Sequence, residues 1–219
     1  MQNKRYAFLI GLFLPIFAWP AVNQNGDFQI WQRNFLIKHC APQWSFWVVS
    51  ELRWGSNASQ FYHAILHGQL YYAPAPWIVL GPGYEQVWTK ETTLISWEKE
   101  FIPLFDAIFR ARFHTWEIQD RSRLEYVIID SNPFHWLYRN RFRIIAPPMR
   151  QNPKVAFFTD NEFFWFEAHG VNEDRLSAGL MIQWQDNWGA ESFYMARFLK
   201  QLDGWSYNTV AAFSLLFSF

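Results

Sequence analysis

Arginines and carboxylates occupy alternate positions in several short segments of this chain, and charge pairing is the clearest chemistry that they offer. Arg139, Arg141 and Arg143 are separated from one another by single residues. Side chains two residues apart lie on the same face of a β-strand. This spacing predicts a common polar face lined by Glu51, Arg53, Glu85, Glu117, Arg121, Arg123, Glu125, Arg139, Arg141, Arg143, Asp160, Glu162, Arg175 and Glu191.

This polar face has two interpretations. Cross-strand partners in an antiparallel meander lie about 5 Å apart, within reach of bidentate arginine–carboxylate pairs. Residues 139–143 would then lie between residues 121–125 and 160–162, and we expect Arg141 to pair with Glu162. A ladder of such pairs would fill a narrow lumen with compensated charge. Alternatively, the same charges would form an ion- or solute-selective constriction.

Catalysis would need a nucleophile with a base beside it. Ser122 and Asn140 fall on the opposite face of neighbouring segments, but no histidine accompanies them there. His63 and His67 share the polar face, and four residues of strand separate them by about 13 Å, too far to share a metal ion. We therefore expect no catalytic residue, no metal site and no cofactor.

The segments that carry these charges have an apolar second face and a length of about ten residues, as tilted transmembrane strands do. From Trp44 to Trp54, even-numbered positions are mostly apolar, with tryptophan at each end and aliphatic residues between. Aromatic residues at both ends of an apolar face are typical of the interfacial belts of membrane proteins. The same alternation predicts that Tyr62, Leu180 and Ile182 face outward, the last two near mid-depth in lipid.

The last residues of the chain alternate in the same way. Phe213, Leu215, Phe217 and Phe219 share one face, and smaller or more polar residues occupy most of the other. A final strand with an aromatic terminal residue is typical of bacterial outer-membrane barrels. We expect this run to be the signal that the barrel-assembly machinery recognises.

Connections between the segments alternate between tight turns and longer polar loops, as they do in outer-membrane barrels. Tight turns are predicted at residues 41–43, 73–76 and 185–187, and loops at 55–60, 89–96 and 167–174. Residues 146–154 are long where a short turn is expected.

The segments number about eleven, whereas single-chain bacterial barrels have an even number of strands. Either residues 23–28 begin a further strand, or residues 97–113 form a loop. Pro103 favours the second possibility, because proline cannot donate a ladder hydrogen bond.

Composition excludes two other classes of protein. Aromatic residues make up 21% of the 219 residues, yet the mean hydropathy is −0.16 and no apolar run is long enough for a transmembrane helix. The formal net charge is zero, and the chain has no basic stretch of the kind that binds nucleic acid.

Residues 1–21 predict a secretory signal peptide, and residues 22–219 a single barrel domain. Lys4 and Arg5 precede an apolar run over residues 6–17, which is too short to cross a bilayer. Cleavage after Ala21 or Ala18 fits the preference for a small residue. The only cysteine is Cys40, so no internal disulfide is expected.

Several motifs, in order, resemble a family of bacterial outer-membrane proteins catalogued as domain of unknown function 2490. They lie at residues 26–31, 44–46, 51–54, 81–84, 121–126, 138–143, 160–164 and 172–180. The resemblance implies an outer-membrane β-barrel and no particular activity.

We therefore predict an all-β protein, an antiparallel up-and-down transmembrane barrel of 10–12 strands in a bacterial outer membrane. Its expected role is structural or surface-exposed, with a charge-filled lumen. A narrow solute or ion channel and an outer-membrane lipid-modifying enzyme stay open as alternatives. The expected partners are outer-membrane lipid and the barrel-assembly machinery, with small solutes for a channel and no nucleic acid.

Overall fold

The computed structural model describes residues 23, 25–90, 97–129, 132–152, 154–201 and 204–219, so the predicted signal peptide lies outside the described residues. The described residues form eleven strands. These are β1 (Phe28–Ala41), β2 (Trp44–Gly55), β3 (Gln60–Ala75), β4 (Ile78–Thr89), β5 (Glu98–Phe113), β6 (Trp116–Ile129), β7 (Asn132–Ile145), β8 (Val155–Phe166), β9 (Gly170–Gln185), β10 (Trp188–Gln201) and β11 (Gly204–Ser218). In this part of the chain no helix is long and apolar enough to cross a membrane.

The strands close into one barrel, and each pairs antiparallel with its neighbours in sequence. The exception is the seam between β1 and β11, which is parallel: Phe28 pairs with Thr209, and Ile37 with Ser218. The first and last strands of an odd-numbered meander run the same way, so the seam must be parallel. The predicted all-β barrel of 10–12 strands is confirmed, but the expectation of an even number is wrong.

The segment that contains Pro103 is a strand and not a loop. Pro103 pairs with Tyr84 of β4, whereas the pairing of β5 with β6 skips from Phe101 to Leu104. Proline is tolerated here because its missing N–H coincides with the interruption of that ladder. Among the described residues of the range 23–28, only Phe28 belongs to a strand, as the first residue of β1.

The two ends of the barrel differ. Short turns join β1 to β2, β3 to β4, β5 to β6 and β9 to β10 at one end, which we term the turn end. The long connection 146–154 also lies there. At the opposite end, the loop end, the predicted loop 167–174 is mostly strand, because β9 begins at Gly170, and the predicted loop 89–96 falls largely outside the described residues.

Side chains point alternately into and out of the barrel, and the outward positions are largely apolar. Phe105, Phe157 and Phe213 are 46%, 52% and 43% exposed on the outer face. The inward positions hold buried charges, such as Asp106, which is fully buried. Much of the exposed outer surface is therefore apolar, and much of the buried charge lies inside.

The interior is layered along the barrel axis. Near the loop end an apolar cluster forms around Val87, Val127 and Phe164. Near the turn end a second cluster includes Tyr71 and Ile108. A third apolar cluster, which includes Trp31, Phe158 and Phe193, lies among the charged residues.

Bulges change the face of residues near the loop end. Arg53 pairs with His63 but Trp54 with Phe61, so Tyr62 is an extra residue in β3. Tyr62 turns inward and is buried, and its hydroxyl contacts Gln29 at 2.9 Å. The prediction that Tyr62 faces outward is therefore wrong.

Candidate functional site

Within the described residues, eight arginines and eight carboxylates form ion pairs inside the barrel. The arginines are Arg33, Arg53, Arg121, Arg123, Arg139, Arg143, Arg175 and Arg197, and the carboxylates are Glu51, Glu85, Asp106, Glu125, Asp160, Glu162, Glu173 and Glu191. Alternation points these side chains inward, and the antiparallel register brings opposite charges together. Such charges can be buried because they are paired.

One guanidinium lies among three carboxylates, and we term this group the Arg123 cluster. Arg123 Nε and Nη2 donate to the two carboxylate oxygens of Asp106 at 2.6 and 2.9 Å, a bidentate pair. Arg123 Nη1 lies 3.1 Å from Glu85 and 3.6 Å from Glu125. The Tyr71 hydroxyl donates a further hydrogen bond to Asp106 at 2.8 Å.

One carboxylate lies among three guanidiniums, and we term this group the Glu162 cluster. Glu162 Oε1 accepts hydrogen bonds from Arg121 and, at 3.1 Å, from Arg139. Glu162 Oε2 lies 3.5 Å from Arg175 Nη1. Arg139 also donates to Glu125 at 2.8 Å, so it joins the two clusters.

A buried tryptophan is surrounded by guanidinium groups. Trp31 is fully buried, and its Nε1 donates to Gln29 at 3.0 Å. The guanidinium carbons of Arg53, Arg175, Arg33 and Arg197 lie 3.8, 5.0, 5.7 and 5.7 Å from the ring centroid. The ring stabilises these cations through cation–π interactions.

Arg141 differs from the other inward arginines of β6–β9. Arg141 and Glu162 are in register, but the expected pair between them does not form, because Glu162 already contacts the three arginines of its cluster. Arg141 makes no hydrogen bond or ion pair with any described residue, and its Nε is buried. On β6 its register partner is Arg121, another arginine.

The other residues of the predicted polar face either form ion pairs inside the barrel or, in one case, lie apart from the interior. Apart from Glu117 and Arg141, each of them forms an ion pair in the interior. Arg143 bridges Asp160 at 2.8 Å and Glu191 at 3.0 Å. Glu117 lies apart, paired at 3.5 Å with the highly exposed Arg112 beside the β5–β6 turn.

Four members of the network were absent from the predicted face: Arg33, Asp106, Glu173 and Arg197. Asp106 follows Pro103 on the same strand, and Glu173 lies in a stretch predicted as a loop. Arg197 shares its parity with Glu191, a signal that was available in the sequence. Glu173 pairs with both Arg175 and Arg197 and extends the Glu162 cluster towards the loop end.

Ser122 and Asn140, the residues considered for catalysis, lie on the outer face. Asn140 Nδ2 lies 3.4 Å from Ser122 Oγ and donates to Asp120 at 2.6 Å. His114 lies in the β5–β6 turn, and His135 stacks on Phe166. The described residues thus bring no histidine to Ser122 that could act as its base.

The inward histidines contact polar neighbours. His67 lies 3.1 Å from Glu85 and 2.8 Å from Gln69, and His63 contacts Thr89 at 2.9 Å. Among the residues that the structure describes, no three His, Cys, Asp or Glu side chains are grouped to hold a metal ion.

Two clefts of about 150 and 170 Å³ open at the turn end. Lys154, Met181 and Glu191 contribute to the first. His39 and Arg110 contribute to the second. Both lie on the turn side of the charged layer.

Residues 28–208 match the model of a family described as protein of unknown function (DUF2490). The chain belongs to this family. A search of curated proteins finds no match.

The matched span of DUF2490 begins at the first residue of β1 and ends within β11. It includes both charge clusters and Trp31, but not the terminal alternating run. Within that run, Phe213 and Phe217 are exposed on the outer face, and Phe219 is 64% exposed just after β11. The backbone N–H of Phe219 donates to Ile37 at 2.9 Å, so this last residue continues the seam with β1.

Proposed function

We propose that this DUF2490 protein is an outer-membrane β-barrel whose role is structural or surface-exposed, with a lumen closed by its own charged side chains. The observation that carries the proposal is the distribution of side chains around the closed wall. Apolar residues lie outside, aromatic residues mark both ends, and paired charges lie inside. This distribution suits a barrel dissolved in lipid.

Aromatic residues form two belts on the outer face. At the turn end Trp44 stacks on Tyr72, and Trp188 on Phe217, with centroids 4.6 and 6.4 Å apart. At the loop end Trp54 packs against Phe61, and Tyr126 against Phe134 and Trp136. Aromatic side chains favour the two membrane interfaces, so the belts support insertion in a bilayer.

The separation of the belts fits a membrane. Trp44 and Trp54 stand at opposite ends of β2, ten residues apart. At about 3.3 Å per residue, this is roughly 33 Å along the strand. A strand tilt of about 40° reduces it to roughly 25 Å, which matches the apolar band of outer-membrane barrels.

The closed lumen is supported by the contacts of its charges. An aqueous pore needs wet, separated charges, whereas the side chains of both charge clusters contact one another and are largely buried. Trp31 and the arginines around it fill further space. These contacts favour a structural barrel over a channel.

Insertion is tested first by fractionation and by the mobility of unheated protein on gels. Deleting Phe219 should lower the amount of assembled, heat-modifiable protein in the outer membrane while synthesis continues. If both wild type and deletion variant are soluble in the periplasm, the proposal is wrong.

Lipid contact is tested by Leu180→Arg, with Gln183→Arg as the control. Leu180 lies on the outer face of β9, whereas Gln183 is exposed at the turn end. A charge at mid-depth should cost about 2–4 kcal/mol in refolding titrations into lipid, and the control change should cost less. Equal costs would contradict lipid contact at Leu180.

Closure is tested by conductance in planar bilayers. The wild-type protein should conduct very little, because paired side chains fill the lumen. A steady, large conductance would instead establish the channel alternative.

A further inference from the structure

We propose that the barrel interior binds a small oxyanion at Arg141, beside the Glu162 cluster. The proposal depends on the interior of the barrel and not on its location, so it can fail without affecting the proposed membrane insertion.

The first argument is the balance of charge. The interior ion pairs of the described residues use eight arginines and eight carboxylates, as named above. Arg141 is a ninth inward arginine on the same wall and has no carboxylate of its own. The side chains around Arg141 therefore leave a local excess of positive charge, because the buried Asp27 and the half-buried Glu100, which lie outside these pairs, are near the loop end.

The second argument is the local geometry. Arg121 faces Arg141 across the β6–β7 ladder, and Arg143 follows two residues along β7. The nearest register partner of opposite charge is Glu162, whose oxygens contact Arg121, Arg139 and Arg175. Arg141 thus meets two cations, and the two nearby carboxylates, Glu162 and Asp160, already contact other arginines.

The third argument comes from unused hydrogen-bond donors. The Nε–H groups of Arg121, Arg139 and Arg141 are buried and donate to none of the described residues. A buried donor without an acceptor is destabilising. Arg141 and Arg121 are register partners, so an anion with several oxygens beside Arg141 would offer acceptors to their unused donors.

The chemistry of the guanidinium selects the ligand class. Arginine offers parallel N–H donors that match the oxygens of sulfate, phosphate or a carboxylate. The surrounding interior is packed with side chains, which limits the ligand to a small ion. Arg141 itself is partly exposed, and Arg143 reaches Glu191, which lines the first cleft at the turn end. The first cleft at the turn end is thus the described opening that lies one ion pair away from the neighbour of Arg141.

The test uses the full-length protein in detergent and radiolabelled sulfate in equilibrium dialysis at constant ionic strength. Wild type should bind about one sulfate per chain with saturation. Arg141→Gln should weaken binding at least tenfold, and Arg141→Lys should retain part of it because the charge remains. Arg112→Gln is the matched control, since it removes one exposed arginine outside the interior network and should leave binding unchanged.

Thermal unfolding provides a second readout that also verifies folding of each variant. Sulfate should raise the unfolding temperature of wild type and Arg112→Gln more than that of Arg141→Gln, because a ligand stabilises only the state that binds it. Equal binding by wild type and Arg141→Gln would overturn the proposal. Absence of saturable sulfate binding to folded wild type would overturn it as well.

Discussion

The Arg123 and Glu162 clusters are opposite arrangements of the same two groups. In the first, a guanidinium lies among the carboxylates of Asp106, Glu85 and Glu125. In the second, a carboxylate lies among three guanidiniums. One cluster has too much negative charge and the other too much positive charge, and Arg139 joins them.

The opposite charge excesses of the two clusters show that charge in this interior is balanced across several strands and not within single pairs. Each cluster alone would hold like charges close together, and their contact through Arg139 and Glu125 offsets part of both excesses. A bound anion can neutralise the positive excess of the Glu162 cluster but not the negative excess of the Arg123 cluster. The two clusters should therefore respond differently to mutation and to anions.

Arg123→Gln should have the largest effect. It leaves three carboxylates without their shared cation, and we expect a loss of about 3–5 kcal/mol in urea unfolding of the detergent-solubilised protein. Adding Asp106→Asn should recover part of this loss, because one unpaired charge is removed with its partner. Arg112→Gln should stay within about 0.5 kcal/mol of wild type. An Arg123→Gln protein as stable as wild type would mean that the cluster is hydrated and unimportant.

Trp31→Ala should come next, with a loss of about 3 kcal/mol or more. The change creates a cavity and removes the ring that Arg53 and Arg175 contact. Trp31→Phe should lose much less, because it keeps a ring in the same place. Both are measured in the same urea titration, together with conductance, which Trp31→Ala should increase. If the alanine and phenylalanine variants are equally stable, the ring does not support the Glu162 cluster.

Glu162→Gln should cost about 2–3 kcal/mol in low salt, because it leaves Arg121, Arg139 and Arg175 short of a carboxylate. Unlike the Arg123→Gln loss, this one should shrink when sulfate is added at constant ionic strength. The measurement is the unfolding free energy of both variants with sulfate and with chloride. Equal recovery of both variants would remove the distinction between the clusters.

Arg141→Gln should have the smallest effect, within about 1 kcal/mol of wild type and on the stabilising side without sulfate. The change removes repulsion from neighbouring arginines and breaks no ion pair with the described residues. Unfolding titrations in a weakly binding anion measure it. A loss near that of Arg123→Gln would show that Arg141 has a carboxylate partner after all.

Much of the fold follows from local alternation. The inward direction of Glu125 and Arg143 needs only the two-residue period of a strand. The face of Tyr62 is predicted wrongly by alternation, because a bulge inserts one residue into β3 and reverses the face. The presence of Pro103 indicates a loop when only the sequence is known. The strand is possible because the ladder with β6 is interrupted at that point, which only the structure reveals.

The charge clusters are harder to predict than the faces. Register places Arg141 opposite Glu162, yet the length and flexibility of arginine allow residues on β6 and β9 to reach the same carboxylate. Competition between several guanidiniums is settled by three-dimensional packing. Strand number is non-local for a similar reason, since the closing pair joins residues near opposite ends of the chain.

The parallel seam has a consequence for how the chain could be rearranged. In an even-numbered meander the first and last strands meet in a hairpin geometry, and a few residues can link them. Here Phe28 lies at the loop end and Ser218 at the turn end, so a linker between them would have to run the full length of the barrel. Circular permutation with a short linker is therefore ruled out for this topology. Tags fused before Phe28 and after Phe219 would lie at opposite ends of the barrel.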